Sequence, residues 1–431
     1  MMWWIYEFVF WAGLLLASPY YLLRMKRRGG YARGFMERFG CLSEAKFRRI
    51  KGKRPVWIHA VSVGEVDLAL VLIQKILEWP SPPPLILSTT TSTGHAQAAR
   101  KLPPNIPLIY YPLDSIFCFG NVHRRLSPQA LILIEAELWP NHLRFCQGRN
   151  LPVALLNARL SERCQPRYKR FQWLFARAFH AFHLVTLQSH DDLQRLEQLG
   201  FPKPSLHVVG SLKYDTALGA ETDRRARLMS DIAFLKDRPL WVAGSTHPGE
   251  EEIVLEIFTR LRKNHPKLAL ALAPRHVERS PEITSLLRER GESFILRSEI
   301  NPQTPSADIL LLNTTGELKY LYERATVIFM GKSLVGHGGQ NIIEPAAFGK
   351  PVLFGPHMEN FPTIAADFLK AGAAIQFANA AELEAHTNRL LKNPGEQSGL
   401  GKKALEVIRQ NRGAMDRTVR ELQRVLKCSS N

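Results

Sequence analysis

A run of glycines and polar side chains, Gly331-Lys332-Ser333-Leu334-Val335-Gly336-His337-Gly338-Gly339-Gln340-Asn341-Ile342-Ile343-Glu344-Pro345, follows directly on the apolar stretch 327–330. Glycines let a backbone approach an anion, and a helix starting near Ile342 would point free N–H groups at one. Glu344 stands one turn into that helix, where a carboxylate can accept hydrogen bonds from a ribose diol. The run is not a Walker loop, because Thr326 occupies the position of the glycine that such a loop requires. Ala273-Pro274-Arg275-His276 ends another apolar stretch, and Arg275 has the forked geometry to pair with phosphate or carboxylate. Thr315-Gly316-Glu317 opens a further helix and offers a second helix N-terminus. These pieces suit the binding of a nucleotide through its phosphate and ribose.

A second group is richer in carboxylates. His59-Ala60-Val61-Ser62-Val63-Gly64-Glu65 sets Glu65 just after the apolar segment 56–60, and Ser88-Thr89-Thr90-Thr91-Ser92-Thr93-Gly94 supplies hydroxyls after the next one. Glu135-Ala136-Glu137-Leu138-Trp139-Pro140-Asn141 adds a carboxylate pair, and Gly210-Ser211-Leu212-Lys213-Tyr214-Asp215 adds a lysine. Taken singly, Glu65 reads equally well as a helix cap, Glu137 as a solvated side chain and Lys213 as a surface lysine. Four polar clusters at the ends of successive strands point instead to one ligand edge, where a carboxylate can act as a general base. No Asp-x-Asp pair is present; Asp191 and Asp192 are adjacent and fall in a helical segment. The chemistry therefore calls for no metal.

The elements that hold these groups are strands alternating with helices. Strands are expected at 56–60, 85–88, 108–111, 131–134, 153–156 and 184–188, with helices at 68–78, 167–179 and 189–199. The second half repeats the plan at 240–243, 268–273, 294–296, 309–312, 327–330 and 352–354. The openings echo each other, Trp57…Ser62-x-Gly64-Glu65 against Trp241…Ser245-x-x-x-Gly249-Glu250. Alternation of this kind predicts α/β architecture with parallel sheets covered on both faces. Two Rossmann-like domains joined near 215–235 follow, with a ligand cleft between them. Residues 395–426 read as helix that crosses back to the first domain.

The chain has 431 residues, 45% of them hydrophobic, which favours two folded domains over disorder. Its net charge of +18 implies an anionic partner. Basic residues are dense from Arg24 to Arg54, immediately after the apolar stretch 3–23, as on a surface held against anionic headgroups. No nucleic-acid-binding signature accompanies them. The stretch 3–23 carries aromatic residues at both ends and only just reaches the length of a spanning helix. Positive charges follow it and none precede it, so a cleaved signal is disfavoured and the remainder is expected on the cytoplasmic side. Glu7 and Pro19 shorten the run and keep an in-plane anchor as the close rival. The 5 cysteines are scattered and odd in number, which suits a reducing compartment.

On the residues 38–40, 59–65, 135–141, 157–159, 210–215, 273–276, 316–317 and 339–345 the sequence resembles the 3-deoxy-D-manno-octulosonic acid (Kdo) transferases of lipopolysaccharide assembly, glycosyltransferase family 30. The likeness extends over nearly the whole chain. It implies a GT-B fold of two Rossmann-like domains: an anchor helix over 1–24, an acceptor domain over 25–216, a donor domain over 217–394, and a returning helix over 395–431. It implies an inverting transfer of Kdo from CMP-Kdo to the tetraacylated lipid A precursor lipid IVA, once or more, releasing CMP at the cytoplasmic face of the inner membrane. Anionic lipid is then a partner, nucleic acid is not, and no cofactor is needed. By resemblance Glu65 is the proton acceptor, and Glu135 and Lys213 stabilise the transition state. Pro274, Arg275, Thr315, Gly316, Glu317, Asn341, Ile342, Ile343 and Glu344 hold CMP. The chain departs from many members in having Gln340 for His and Ala136 for Thr. A membrane-associated GT-B enzyme using another nucleotide sugar and lipid acceptor is the rival reading.

Overall fold

A computed structural model describes residues 2–28, 34–48, 50–135, 138–159, 176, 178–216, 222–301 and 306–428. Ala136, Glu137 and most of the helix expected over 167–179 lie outside the described residues. The chain divides into two compact units, Met1–Thr216 with Arg412–Asn431, and Ala217–Asn411.

In the first unit the strands are β1 (Val56–Ala60), β2 (Leu85–Thr89), β3 (Leu108–Tyr110), β4 (Ala130–Ile134), β5 (Val153–Ala158), β6 (Phe182–Leu187) and β7 (Leu206–Val208). They form one 7-stranded, all-parallel sheet in the order β3-β2-β1-β4-β5-β6-β7. The central strands are buried along their whole length. Successive residues feed two cores: Trp57, Leu131 and Leu133 pack on one face, and Val56, Ile58 and Ile132 on the other. This double burial is why the strands read as unbroken apolar runs. Helix Ala414–Cys428 completes the second face with Met415, Leu422 and Leu426. Asp215 ties it in, accepting from Gly413 N–H at 2.8 Å and Met415 N–H at 2.7 Å.

The second unit contains β8 (Leu240–Thr246), β9 (Ala269–Pro274), β10 (Phe294–Leu296), β11 (Ile309–Leu311), β12 (Val327–Met330), β13 (Val352–Phe354) and β14 (Ile375–Gln376). These too form a parallel sheet of 7 strands, ordered β10-β11-β9-β8-β12-β13-β14. Helix Pro394–Asn411 stays in this unit, its Gly401 pressed so closely on Gly349 that a Cβ would fall 1.9 Å from the Gly349 carbonyl oxygen. The chain thus passes back to the first unit after Asn411, later than residue 395.

The apolar N-terminus forms helix Met2–Arg28, interrupted in sequence by Glu7 and by Pro19. Among the described residues no helix is long and apolar enough to cross a membrane, which corrects the expectation of a spanning anchor. Glu7 shows the physical reason. It is buried and accepts from Asn141 Nδ2 at 2.6 Å, Trp11 Nε1 at 3.0 Å, Ile116 N–H at 3.3 Å and the Ser115 hydroxyl. Tyr6 donates to Asp114 at 2.7 Å. A carboxylate costs too much to bury in hydrocarbon but is well accommodated by these donors. The opposite side of the helix exposes Trp4, Ile5, Phe8, Val9, Leu15, Leu16 and Tyr20.

Glu7→Ala strips an acceptor from several buried donors and should destabilise the protein by about 1–3 kcal/mol. Thermal melting should register a loss of several degrees, whereas Leu16→Ser, at an exposed position, should stay within about 0.5 kcal/mol of the parent. Equal melting of Glu7→Ala and the parent would remove Glu7 as the fastening point.

Candidate active site

In the first unit the polar clusters meet at the carboxyl ends of β1, β4 and β5. Glu65 is the third residue of helix Val63–Leu77, whose N-cap is Ser62. Its Oε2 accepts from Val61 N–H at 2.7 Å, and its Oε1 from the Ser62 hydroxyl at 2.9 Å. The carboxylate is thus fastened to the turn that precedes its helix while remaining half-buried at the sheet edge. Burial pushes its pKa above the ordinary 4.5 and the nearby charge of Glu135 adds to the rise, while the bonds from Val61 and Ser62 oppose it. A carboxylate kept this way is a stronger base than one in water.

Glu135 leaves β4 with φ 64°, and Asn157 near the end of β5 has φ 57°. Both are left-handed conformations that a non-glycine residue adopts at some cost. Their payoff is contact: Glu135 Oε1 lies 3.0 Å from Lys213 Nζ and accepts from Asn157 Nδ2 at 3.3 Å. Asn157 is fully buried, and its Oδ1 accepts from Leu212 N–H at 3.1 Å, which fixes the backbone beside Lys213. Glu135, Asn157 and Lys213 thus form one connected group, and Glu135 acts electrostatically on Glu65.

Other members of these clusters are structural. His59 is buried, stacked on Tyr111 at 3.6 Å between ring centroids, and burial lowers its pKa to about 3, so it is neutral. Ser88 is buried and accepts from Trp57 Nε1 at 2.8 Å. Thr91 caps helix Ser92–Lys101 and donates to the Val61 carbonyl at 2.7 Å. Asn141 holds Glu7. Arg38 donates to the Thr90 carbonyl at 2.6 Å and lies over the Tyr110 ring.

In the second unit the glycine-rich run leaves β12 as a loop. Sequence reading passed over what organises it: Glu250, fully buried at the start of helix Glu250–Arg262. Its Oε2 accepts from Lys332 N–H at 2.7 Å and His247 N–H at 3.0 Å; its Oε1 accepts from Ser333 and Leu334 N–H at 3.1 Å each. Gly331 is required beneath it, since a Cβ there would sit 2.6 Å from the Ser245 carbonyl oxygen. The signal was present in the sequence, because Gly249-Glu250 repeats Gly64-Glu65.

The predicted donor residues are distributed around this loop. Arg275 is exposed just beyond β9, its N–H bonded to the Thr246 carbonyl at 3.0 Å, and Pro274 is buried in the strand end. Arg275 and Glu344 both act electrostatically on the buried Tyr322 hydroxyl, so they share one edge of the sheet. Thr315 and Gly316 are exposed, with Gly316 at φ 80°. Glu317 turns inward to Arg297 at 3.1 Å, a buried pair, and Arg297 also reaches the partly exposed Asp231 at 2.8 Å. Ile342 and Ile343 are buried, and Asn341 Oδ1 accepts from Ile343 N–H at 3.1 Å. The helix expected from Ile342 is a single turn, Ile343–Ala346. So short an element has little macrodipole, and anion binding must rest on loop N–H groups and basic side chains. Gly338 and Gly339 also serve the fold, because Cβ atoms there would meet Asn360 Nδ2 at 2.3 Å and Met358 Sδ at 2.5 Å.

The cluster with metal-ligand spacing among the described residues, His337, His357 and Glu359, takes His337 from the glycine-rich run and includes none of the predicted site residues. A cavity of about 820 Å³ in the first unit, lined by Arg54, Gln129, Pro152 and His183, lies at the amino ends of the strands, opposite Glu65.

Comparison with known proteins gives this geometry a family. Residues 33–216 match the family described as 3-deoxy-D-manno-octulosonic-acid transferase (kdotransferase), and residues 250–407 match glycosyl transferases group 1. The chain is 32% identical over 418 residues to the 3-deoxy-D-manno-octulosonic acid transferase of Haemophilus influenzae, covering 96% of this chain and 97% of that one. It is 32% identical over 424 residues to the enzyme of that name from Bordetella pertussis, covering 94% and 96%. Among solved structures, UDP-GlcNAc 2-epimerase from Neisseria meningitidis is similar with a TM-score of 0.62 at 15% identity, over 86% of this chain and 100% of that one, a likeness of fold alone. With two parallel sheets of the GT-B type and family matches over both halves, the chain is a glycosyltransferase and belongs to the 3-deoxy-D-manno-octulosonic acid transferase family.

Proposed function

We propose that this enzyme transfers Kdo from CMP-Kdo to lipid IVA with inversion, once or more, at the cytoplasmic face of the inner membrane and without a catalytic metal. The observation that carries the reading is the set Glu65, Glu135, Asn157 and Lys213 at one sheet edge of a chain from this family. The acceptor hydroxyl oxygen forms its bond to the anomeric carbon as that carbon's bond to the CMP phosphate oxygen breaks. The electron pair departs with CMP, and the hydroxyl proton passes to Glu65. Lys213, held by Glu135 at 3.0 Å, stabilises charge at the reacting centre. On the donor side Arg275 meets the phosphate and Glu344 the ribose. Pro274, Thr315, Gly316, Asn341, Ile342 and Ile343 shape the nucleotide pocket. Glu317 supports it from behind, since its carboxylate is taken by Arg297.

The membrane reading changes from spanning to in-plane. The exposed apolar side of helix Met2–Arg28, from Trp4 to Tyr20, is joined by exposed Phe117 beside Trp4. Such a face enters the headgroup region while the basic residues that follow attract anionic lipid.

The catalytic test is product formation from CMP-Kdo and lipid IVA, read by mass spectrometry, which also counts the sugars added. Glu65→Gln keeps the shape but cannot take a proton, and turnover should fall at least about a hundredfold. CMP binding should persist; an active Gln variant would eliminate Glu65 as base. The base must be ionised, so the acid limb of kcat/KM should lie above 4.5. In Glu135→Gln, with that negative charge gone, the limb should move down in pH; a limb that stays put would sever the coupling.

Donor binding is read by calorimetry with CMP. Arg275→Ala and Glu344→Ala should each weaken it by about 1.5–3 kcal/mol, the worth of a hydrogen bond to a charged group. Unchanged affinity in both would move the nucleotide elsewhere.

For the membrane, Phe8→Ser combined with Leu16→Ser should reduce sedimentation with anionic vesicles, and the residual binding should weaken as salt rises. Undiminished binding would place the contact on another surface.

A further inference from the structure

His337 in the glycine-rich loop and His357 and Glu359 in the segment after β13 bring one ligand atom each within 4.8 Å of one another. Glu359 Oε1 lies 3.1 Å from His337 Nδ1 and 3.5 Å from His357 Nδ1. A tetrahedral zinc ion takes imidazole nitrogen and carboxylate oxygen at roughly 2.0–2.2 Å, so its ligand atoms stand roughly 3.3–3.5 Å apart. Both contacts fall within a few tenths of an ångström of that edge.

The three side chains also have the support that metal ligands need. The second oxygen of Glu359 accepts from Gly338 N–H at 2.6 Å, which fixes the plane of the carboxylate. Asn360 N–H donates to the Gly338 carbonyl at 2.9 Å, and His357 N–H to the Ser333 carbonyl at 3.0 Å. The two backbone segments are therefore already locked at the separation that the ligands require. The His337 side chain is 67% exposed, whereas His357 and Glu359 are 30% and 29% exposed, leaving a side open to solvent for a fourth ligand.

We propose that His337, His357 and Glu359 bind a zinc-class divalent cation with one solvent position, bracing the glycine-rich loop against the segment 357–360. Two imidazoles and one carboxylate select zinc, cobalt or nickel over magnesium and calcium, which prefer all-oxygen sites. The ion holds the loop that leads into Asn341–Glu344, so its place is structural. A plain hydrogen-bonded trio is the competing account, and it predicts no ion uptake.

The test uses the full chain, freed of metal by a chelator and dialysed, then titrated with cobalt(II) and zinc(II). Cobalt should give the visible absorption of a four-coordinate nitrogen–oxygen site at one equivalent. Zinc should compete it away and raise the melting temperature. His337→Ala and Glu359→Gln should each weaken binding about tenfold or more and abolish the metal-dependent rise in melting. Melting of the metal-free variants checks that the exposed substitutions leave the fold intact. Three results overturn the proposal: no saturable uptake, uptake by both variants equal to that of the parent, or a cobalt–thiolate charge-transfer band, which would put the ion on a cysteine.

Discussion

Each sheet has one point where the chain, having wound outward from its first strand in one direction, returns and winds in the other. In the first unit this reversal falls between β1 and β4, and in the second between β8 and β12. The connections diverge there, and the carboxyl ends of the two strands are left without a covering helix. Several of the polar groups described above lie at those ends. Glu65 follows β1 and Glu135 follows β4; Glu250 follows β8 and Gly331 follows β12. Backbone strain is also present there, with Glu135, Ser245 and Lys332 at positive φ, as is Asn157 on the neighbouring β5. Strain of this kind persists only where surrounding bonds over-determine it, as Glu250 does for Lys332 and Asn157 does for Glu135.

The two first-strand carboxylates show how one position can be put to two uses. Glu250 accepts four backbone N–H groups, so its oxygens are committed to shaping the loop. Glu65 is held by the Val61 N–H and the Ser62 hydroxyl, within the turn that opens its own helix. The first arrangement makes a scaffold. The second leaves a half-buried carboxylate with a raised pKa, oriented from within its own turn, which suits the role proposed for it.

What could be read from sequence follows from how far apart the determining residues lie. Central parallel strands announce themselves because both faces are buried, so runs such as 131–134 and 327–330 needed no distant information. The edge strands β7 and β14, three and two residues long, carry too little pattern to be seen. The polar clusters at the strand ends were legible as clusters, and Glu65, Glu135 and Lys213 do come together. Their internal division of labour was not legible. Nothing near Glu317 reveals that Arg297 will claim its carboxylate, and nothing near Gly338 shows that Asn360 will fill the space of its missing side chain. The N-terminal helix is the clearest case. Its composition reads as a membrane span, and only Ser115, Ile116 and Asn141, more than a hundred residues away, explain why Glu7 belongs in it.

That same bond to Asn141 connects two features that look separate in sequence. Asn141 closes the segment that begins at Glu135, and it is buried with one amide proton on Glu7 and a second bond from the same nitrogen to the Asp114 carbonyl. The helix with the exposed apolar side is therefore fastened to helix Pro140–Gln147, which begins five residues after Glu135. If the acceptor is a lipid, its sugar must reach Glu65 while its acyl chains stay in the bilayer. On the function proposed above, an apolar face pinned through a buried carboxylate keeps that distance fixed, which a freely spanning helix on a flexible tether would not. The polar residue that spoils the segment as a membrane span is thus the one that ties its apolar face to the unit that holds Glu65.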